Sequence, residues 1–214
     1  MKKICLFFIL LIIPIIRVRA EDLNLAENAK SAILIEASTG EVLYSKNANE
    51  RLAPASMTKI MSLILIMENI EKGNLKWNDI VVVSKNAASM GGSQIFLEQN
   101  EMMSVEDLVK GICVASGNDA TVALAEKIAG TEAAFVKLMN AKAKSLGLKN
   151  TNFVNATGLD AEGHYSSAND MSVMARELVR HEKILEFSSI YEDYLRKDTN
   201  NSFWLVNTNK VVYA

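Results

Sequence analysis

Ser56 and Lys59, a serine and a lysine three positions apart, are the residues of this 214-residue chain whose types and spacing could do chemistry. Residues with this spacing share one face of a helix, so the amine can approach the hydroxyl. Burial lowers the pKa of an amine, and a neutral lysine can take the proton of a serine. The pair therefore predicts a serine nucleophile activated by a lysine. A serine that caps a helix, followed by a solvated lysine, is the alternative that these two residues leave open.

The segment that follows the pair would position it. Residues 60–70 are apolar on nearly every face, which is typical of a buried helix. Pro54 suits the first turn of that helix, because it has no N–H group to leave unpaired there. Ser56 would then lie at the helix N-terminus, where free N–H groups and the positive end of the helix dipole favour developing negative charge.

A second polar element, Ser116-Gly117-Asn118, interrupts a helical pattern between residues 104–115 and 119–128. The hydroxyl of Ser116 could relay a proton to a leaving amine, and the amide of Asn118 could orient Lys59 and a substrate. A helix break with a glycine at the cap is the structural alternative.

The N-terminus has the layout of a secretory signal peptide, with Lys2 and Lys3 before an apolar run at residues 4–16 and small residues up to Ala20. That run is shorter than the roughly 20 residues of a membrane span. We predict a signal peptide at residues 1–20 and an exported, extracytoplasmic protein, on the periplasmic or cell-wall side of the membrane. It would associate with the membrane only through the signal segment, if that segment stays uncleaved.

Composition excludes several classes of function. The chain has 23 basic and 25 acidic residues, a balance that argues against nucleic-acid binding. Cys113 would be the single cysteine left after cleavage, so no internal disulfide is expected. No cluster of Cys and His has metal-ligand spacing, and we expect no metal and no cofactor. A Ser-His-Asp triad through His164 or His181 is an alternative that Lys59 makes unnecessary.

The order of elements predicts an α+β fold, with an antiparallel sheet and a helical lobe. Residues 31–36 and 42–45 read as a hairpin, residues 80–83 as a strand on a separate lobe, and residues 202–214 as a return toward the sheet. Between them lie the expected helices, at residues 104–115, 119–128, 131–147, 167–181 and 182–187.

Several stretches together closely resemble the D-alanyl-D-alanine carboxypeptidases, which are low-molecular-mass penicillin-binding proteins. They are residues 53–59, 92–97, 114–120, 153–160 and 163–167. The Ser-Gly-Asn form at residues 116–118 is similar to the carboxypeptidases rather than to the β-lactamases, which usually have Ser-Asp-Asn. The resemblance runs from about residue 32 to the last residue and implies a β-lactamase/transpeptidase-like domain at residues 21–214.

The resemblance also implies roles for the site residues. Ser56 would form an acyl-enzyme with the penultimate D-alanine of a peptidoglycan stem peptide, and Lys59 would be the general base. Ser116 and Asn118 would belong to the proton relay and the substrate cleft, and the backbone N–H of Ser56 would provide half of an oxyanion hole. β-Lactams would act as covalent inhibitors by acylating Ser56.

One motif of the family is absent. The sequence has no Lys-Thr-Gly or Lys-Ser-Gly, which in the family lies just beyond a segment like residues 207–213. We therefore expect a partial domain with an incomplete sheet and little turnover, since one lost oxyanion donor costs about 10²–10³ in rate. Two alternatives stay open. One is a β-lactamase-like hydrolase, for which no carboxylate that would activate water is identified. The other is a non-catalytic truncated remnant that binds peptidoglycan or a partner.

Overall fold

The computed structural model describes residues 25–197 and 199–213, so the predicted signal peptide lies outside the described residues. The α+β class is confirmed. In chain order the elements are β1 (Ala32–Ile35), β2 (Val42–Lys46), a 3₁₀ turn (Ala55–Thr58), α1 (Lys59–Glu71), β3 (Ile80–Val82), α2 (Lys85–Ala88), β4 (Met102–Ser104), α3 (Val105–Ala115), α4 (Asn118–Ala129), α5 (Glu132–Ser145), α6 (Ala168–Leu178), α7 (Glu182–Ser188), β5 (Glu192–Leu195), β6 (Phe203–Val206) and a second 3₁₀ turn (Lys210–Tyr213).

Helix α1 is the centre of the core, as its apolar sequence predicts. Every residue from Met61 to Met67 is buried, and Met61, Ile64 and Ile66 are completely so. Helices α4, α5 and α6 pack around it, so no face of α1 needs polar side chains. The first residues of this helix are therefore held against a dry interior.

In the described part of the chain the strands form three antiparallel pairs, β1 with β2, β3 with β4 and β5 with β6. The first hairpin confirms the prediction. The expected return of residues 202–214 toward that hairpin is wrong, since Phe203–Val206 pairs instead with β5, a strand that was not predicted. The physical reason is burial, because Leu195 and Leu205 point inward and are covered where β6 packs on α3.

Helix boundaries follow their capping residues. Ser104, Thr131 and Ser167 each accept a hydrogen bond from a backbone N–H of the first turn, at α3, α5 and α6 respectively. Helix α3 ends at Ser116, whose φ of +58° is left-handed, and α4 begins two residues later. Within residues 25–197 and 199–213, no helix is long and apolar enough to cross a membrane.

Candidate active site

Ser56 and Lys59 meet at the start of the central helix. Ser56 lies in the 3₁₀ turn with its side chain exposed, and Lys59 is the first residue of α1 and only 4% exposed. The turn differs from the predicted α-helical start at Pro54. It brings the pair together because side chains three apart eclipse one another in a 3₁₀ helix. Lys59 Nζ lies 3.2 Å from Ser56 Oγ, within hydrogen-bond reach.

The environment of Lys59 disfavours its positive charge. Burial lowers the pKa of the amine from 10.5 to about 8, and the carboxylate of Asp119 offsets part of that decrease. With a pKa this close to neutrality, a useful fraction of Lys59 is uncharged at physiological pH. An uncharged amine beside a hydroxyl is the arrangement that lets a lysine accept the proton of a serine nucleophile.

A loop after α5 supplies the second contact to Lys59. The carbonyl oxygen of Thr157 accepts a hydrogen bond from Lys59 Nζ at 2.9 Å. Asn155 shapes this loop, because its Oδ1 accepts from the N–H groups of Thr157 and Gly158 while its Nδ2 donates to the Leu159 carbonyl. The Asn155 side chain thus provides hydrogen bonds that the backbone of a regular helix or strand would otherwise supply. It also keeps the Thr157 carbonyl directed at the Lys59 amine.

The same loop lies directly on the 3₁₀ turn. Gly158 has a φ of +89°, and a Cβ placed there would overlap the carbonyl oxygen of Ala55. Ser62 on α1 donates a hydrogen bond to the Ala156 carbonyl at 2.7 Å and so holds the loop against the helix. A cleft of about 510 Å³ opens beside this contact, between Ala55 and residues 158–162.

The Ser-Gly-Asn element forms the junction of α3 and α4. Asn118 is buried, and its backbone N–H and its Nδ2 donate to the carbonyls of Ser93 and Gly91, both at 2.7 Å. Its Oδ1 is buried without a hydrogen-bond partner in the described part of the chain. A Cβ on Gly92 would lie 2.8 Å from Asn118 Nδ2 and 3.6 Å from Leu159 Cδ2, so three loops meet here.

The structure brings together some of the predicted site residues and not others. Ser56 and Lys59 are in contact, whereas no hydrogen bond joins Ser116 or Asn118 to either of them among the residues described. Ser116 is half-buried at the helix junction. Asn118 instead binds the loop at Gly91, through its Nδ2 and the Gly91 carbonyl.

Asp119 is a buried site residue that the sequence analysis did not single out. It is 1% exposed, and its carboxylate accepts from the N–H groups of Ile95, Leu97 and Ala120 at 2.8 to 3.1 Å. The sequence signal for it is an acid next to Asn118, in the first turn of a helix.

The structure contradicts the histidine-triad alternative. His164 Nδ1 accepts from the Val154 N–H at 3.1 Å, so Nε2 carries the proton and bonds to Thr58 Oγ1 at 2.8 Å rather than to Ser56. Burial lowers the pKa of His164 despite Asp160 nearby, which favours this neutral form. His181 bonds to Glu71 at the far end of α1.

No metal site is visible in the described ranges, where no group of three or more His, Cys, Asp or Glu side chains could hold an ion. Burial also raises the pKa of the Cys113 thiol to about 12, which makes it a poor nucleophile. The group with the geometry and the proton acceptor that a nucleophile needs is Ser56.

Comparison with known proteins agrees with this geometry. A family model described as D-alanyl-D-alanine carboxypeptidase matches residues 18–214. Over 189 residues the chain is 63% identical to the D-alanyl-D-alanine carboxypeptidase DacF of Bacillus subtilis (strain 168), which covers 88% of this chain and 49% of DacF. Over 228 residues it is 36% identical to DacA of Escherichia coli (strain K12), which covers 100% of this chain and 55% of DacA.

Solved structures give the same result. DacD from Francisella tularensis, a D-alanyl-D-alanine carboxypeptidase, superposes with a TM-score of 0.80 at 35% identity, over 91% of this chain and 46% of that one. Penicillin binding protein 5 from Haemophilus influenzae gives 0.81 at 34% identity, over 86% and 54%. The chain spans about half the length of the curated relatives it matches.

Proposed function

Because this chain belongs to the D-alanyl-D-alanine carboxypeptidase family, we propose that it is a serine-type carboxypeptidase that removes the terminal D-alanine from peptidoglycan stem peptides outside the cytoplasmic membrane. The observation that carries the proposal is the buried Lys59 amine, 3.2 Å from the exposed Ser56 hydroxyl and with a pKa lowered to about 8. The carboxypeptidase activity of the relatives DacF and DacA supports the choice of substrate.

The proposed reaction begins with proton transfer from Ser56 Oγ to the neutral Lys59 amine. Ser56 Oγ then attacks the carbonyl carbon of the penultimate D-alanine, and the backbone N–H of Ser56 stabilises the oxyanion that forms. The proton then passes from the Lys59 ammonium through the Ser116 hydroxyl to the nitrogen of the terminal D-alanine as its C–N bond breaks, which leaves the peptide as an ester on Ser56. Water completes the cycle by hydrolysing the ester on Ser56, which releases the shortened peptide.

The substrate would lie in the cleft between the 3₁₀ turn and the loops at Gly92 and Leu159. Asn118 Oδ1 is buried without a partner among the described residues, and an unpaired buried acceptor is costly. We propose that a backbone N–H of the stem peptide satisfies it when the substrate binds. Asn118 would therefore orient the peptide as well as holding the loop at Gly91.

A fluorescent penicillin tests the proposal on residues 21–214. We expect covalent labelling of the wild-type protein over hours, with loss of labelling in Ser56→Ala. Ser89→Ala is the control, because Ser89 is an exposed serine away from the cleft. Labelling that survives in Ser56→Ala, or no labelling of the folded wild type, would contradict the proposal. Rapid release of hydrolysed penicillin would favour the β-lactamase-like alternative.

A further inference from the structure

The loop at residues 91–97 has no helix or strand of its own and is fastened to the start of α4. Alternate residues make the contacts: Asn118 binds the carbonyls of Gly91 and Ser93, and the Asp119 carboxylate binds the N–H groups of Ile95 and Leu97. Two adjacent residues of one helix, through the Asn118 backbone N–H and both side chains, thus pair with the loop as a neighbouring strand would.

The opposite side of the loop is held as well. The Arg196 guanidinium donates to the carbonyls of Ile95 and Phe96 at 3.2 and 3.3 Å, and it forms an ion pair with Glu101. The loop is therefore enclosed between α4 and the turn after β5. Asp119 is the anchor on the buried side of the loop, and its charge also acts on Lys59.

Burying the charge of Asp119 has a cost in folding free energy, because the carboxylate loses its hydration. A carboxylate that is 1% exposed must be compensated, and its direct partners are backbone N–H groups rather than a cation. There is little spare room around it, because a Cβ on Gly117 would lie 3.1 Å from Asp119 Oδ1. An apolar residue would leave these N–H groups unpaired, whereas a neutral amide could accept from them without the cost of a buried charge, so the charge itself needs an explanation.

On the premise of the proposed function, we infer that Asp119 is a positioning residue: its buried carboxylate fastens the 91–97 loop beside the cleft and sets the pH range in which Lys59 can act as the base. Asp119 acts through Lys59 and through the loop rather than on the substrate.

The charged groups around Lys59 support this assignment. On α5, the Glu132 carboxylate accepts a hydrogen bond from the Ala156 N–H. On α6, the Asp170 carboxylate accepts from the Asn150 N–H and the Thr151 hydroxyl. The neutral His164 is hydrogen-bonded to Thr58. Next to Lys59 itself are the Ser56 hydroxyl and the Thr157 carbonyl, which are uncharged. The Asp119 carboxylate is the group that favours the protonated amine and so opposes the effect of burial.

The test is the pH dependence of the rate at which a fluorescent penicillin acylates Ser56, measured from pH 6 to pH 10. Asp119→Asn keeps the shape and removes the charge. We expect the midpoint of the rise in rate to move to lower pH by on the order of one unit, because the protonated amine loses its counter-charge. The maximal rate should fall at least threefold, because the loop loses an anchor.

Three further variants make the result specific. Asp170→Asn is the matched control, since Asp170 is also buried and also accepts a backbone N–H, and its midpoint should stay at the wild-type pH. Asp119→Glu restores the charge and should return the midpoint toward wild type. Asp119→Ser is a second neutral variant that is measured if Asp119→Asn does not fold.

The outcomes separate the two proposals. Wild-type labelling at Ser56 with an unmoved midpoint in the folded neutral variant would overturn the role of Asp119 and leave the proposed function standing. A midpoint that moves equally in Asp170→Asn would also overturn it, since any buried acid would then have the effect. Absence of wild-type labelling at every pH would overturn the proposed function instead.

Discussion

The lowered pKa of Lys59 makes folding stability depend on pH, because unfolding returns the amine to water. The pKa is 10.5 in water and about 8 in the folded chain. Between these values the unfolded chain holds a proton that the folded chain has released, and stability rises with pH wherever the unfolded state binds more protons. At about 1.4 kcal/mol per pH unit, Lys59 should add about 3 kcal/mol to the free energy of unfolding between pH 7 and pH 10.5.

The measurement compares wild type with Lys59→Met, which has a similar volume and no charge. Urea unfolding is followed at several pH values by tryptophan fluorescence, to which the half-buried Trp77, packed against Phe187, contributes together with the exposed Trp204. All other titrating groups are common to both proteins, so the difference in unfolding free energy reports Lys59. A difference that stays constant within about 0.5 kcal/mol over this range would refute the argument that burial lowers the pKa.

Two further predictions concern the loops around the site, and urea unfolding measures both. Gly158→Ala should destabilise the fold by about 4 kcal/mol or more, because the new Cβ would overlap the backbone of Ala55. Gly147→Ala is the control: its φ is also positive but the space around it is open, so it should cost only about 1–2 kcal/mol. Equal losses of stability in the two variants would show that the positive φ alone matters. Arg196→Ala should cost about 1–3 kcal/mol, because carbonyls of the 91–97 loop and Glu101 lose their donor. Arg180→Ala, at an arginine whose side chain is 77% exposed, should stay within about 0.5 kcal/mol of wild type.

Features that depend on local sequence could be predicted. The apolar run of α1 indicates a buried helix because no face is polar, and the spacing of Ser56 and Lys59 places them together whichever helix type forms. Helix starts at Ser104 and Ser167 follow from a capping side chain three residues before its N–H donor. These signals lie within a few residues, where the covalent chain already limits the geometry.

Features that depend on distant partners could not be predicted in this way. Asp119 accepts hydrogen bonds from the N–H groups of Ile95 and Leu97, which lie more than 20 positions away. No residue close to Asp119 in the sequence indicates that these groups will be its partners. Strand β4 has three residues and exposes the apolar Met102, and β5 has four residues of which Leu195 is the buried one, so neither strand shows a clear alternation of apolar and polar residues. Arg196 also gives no local sign that it will bind Ile95 across the fold.

The division of the Ser56–Lys59 pair between surface and interior has an evolutionary consequence. The Ser56 hydroxyl is exposed to solvent, whereas the pKa of Lys59 is set by the hydrophobic interior that surrounds α1. A substitution remote from the cleft that admits water to this interior would raise the pKa of Lys59 and leave a smaller fraction of neutral amine at neutral pH, although no atom lining the cleft had moved. Selection for catalysis in such a protein therefore acts on how well its hydrophobic core excludes water, as well as on the residues that contact the substrate.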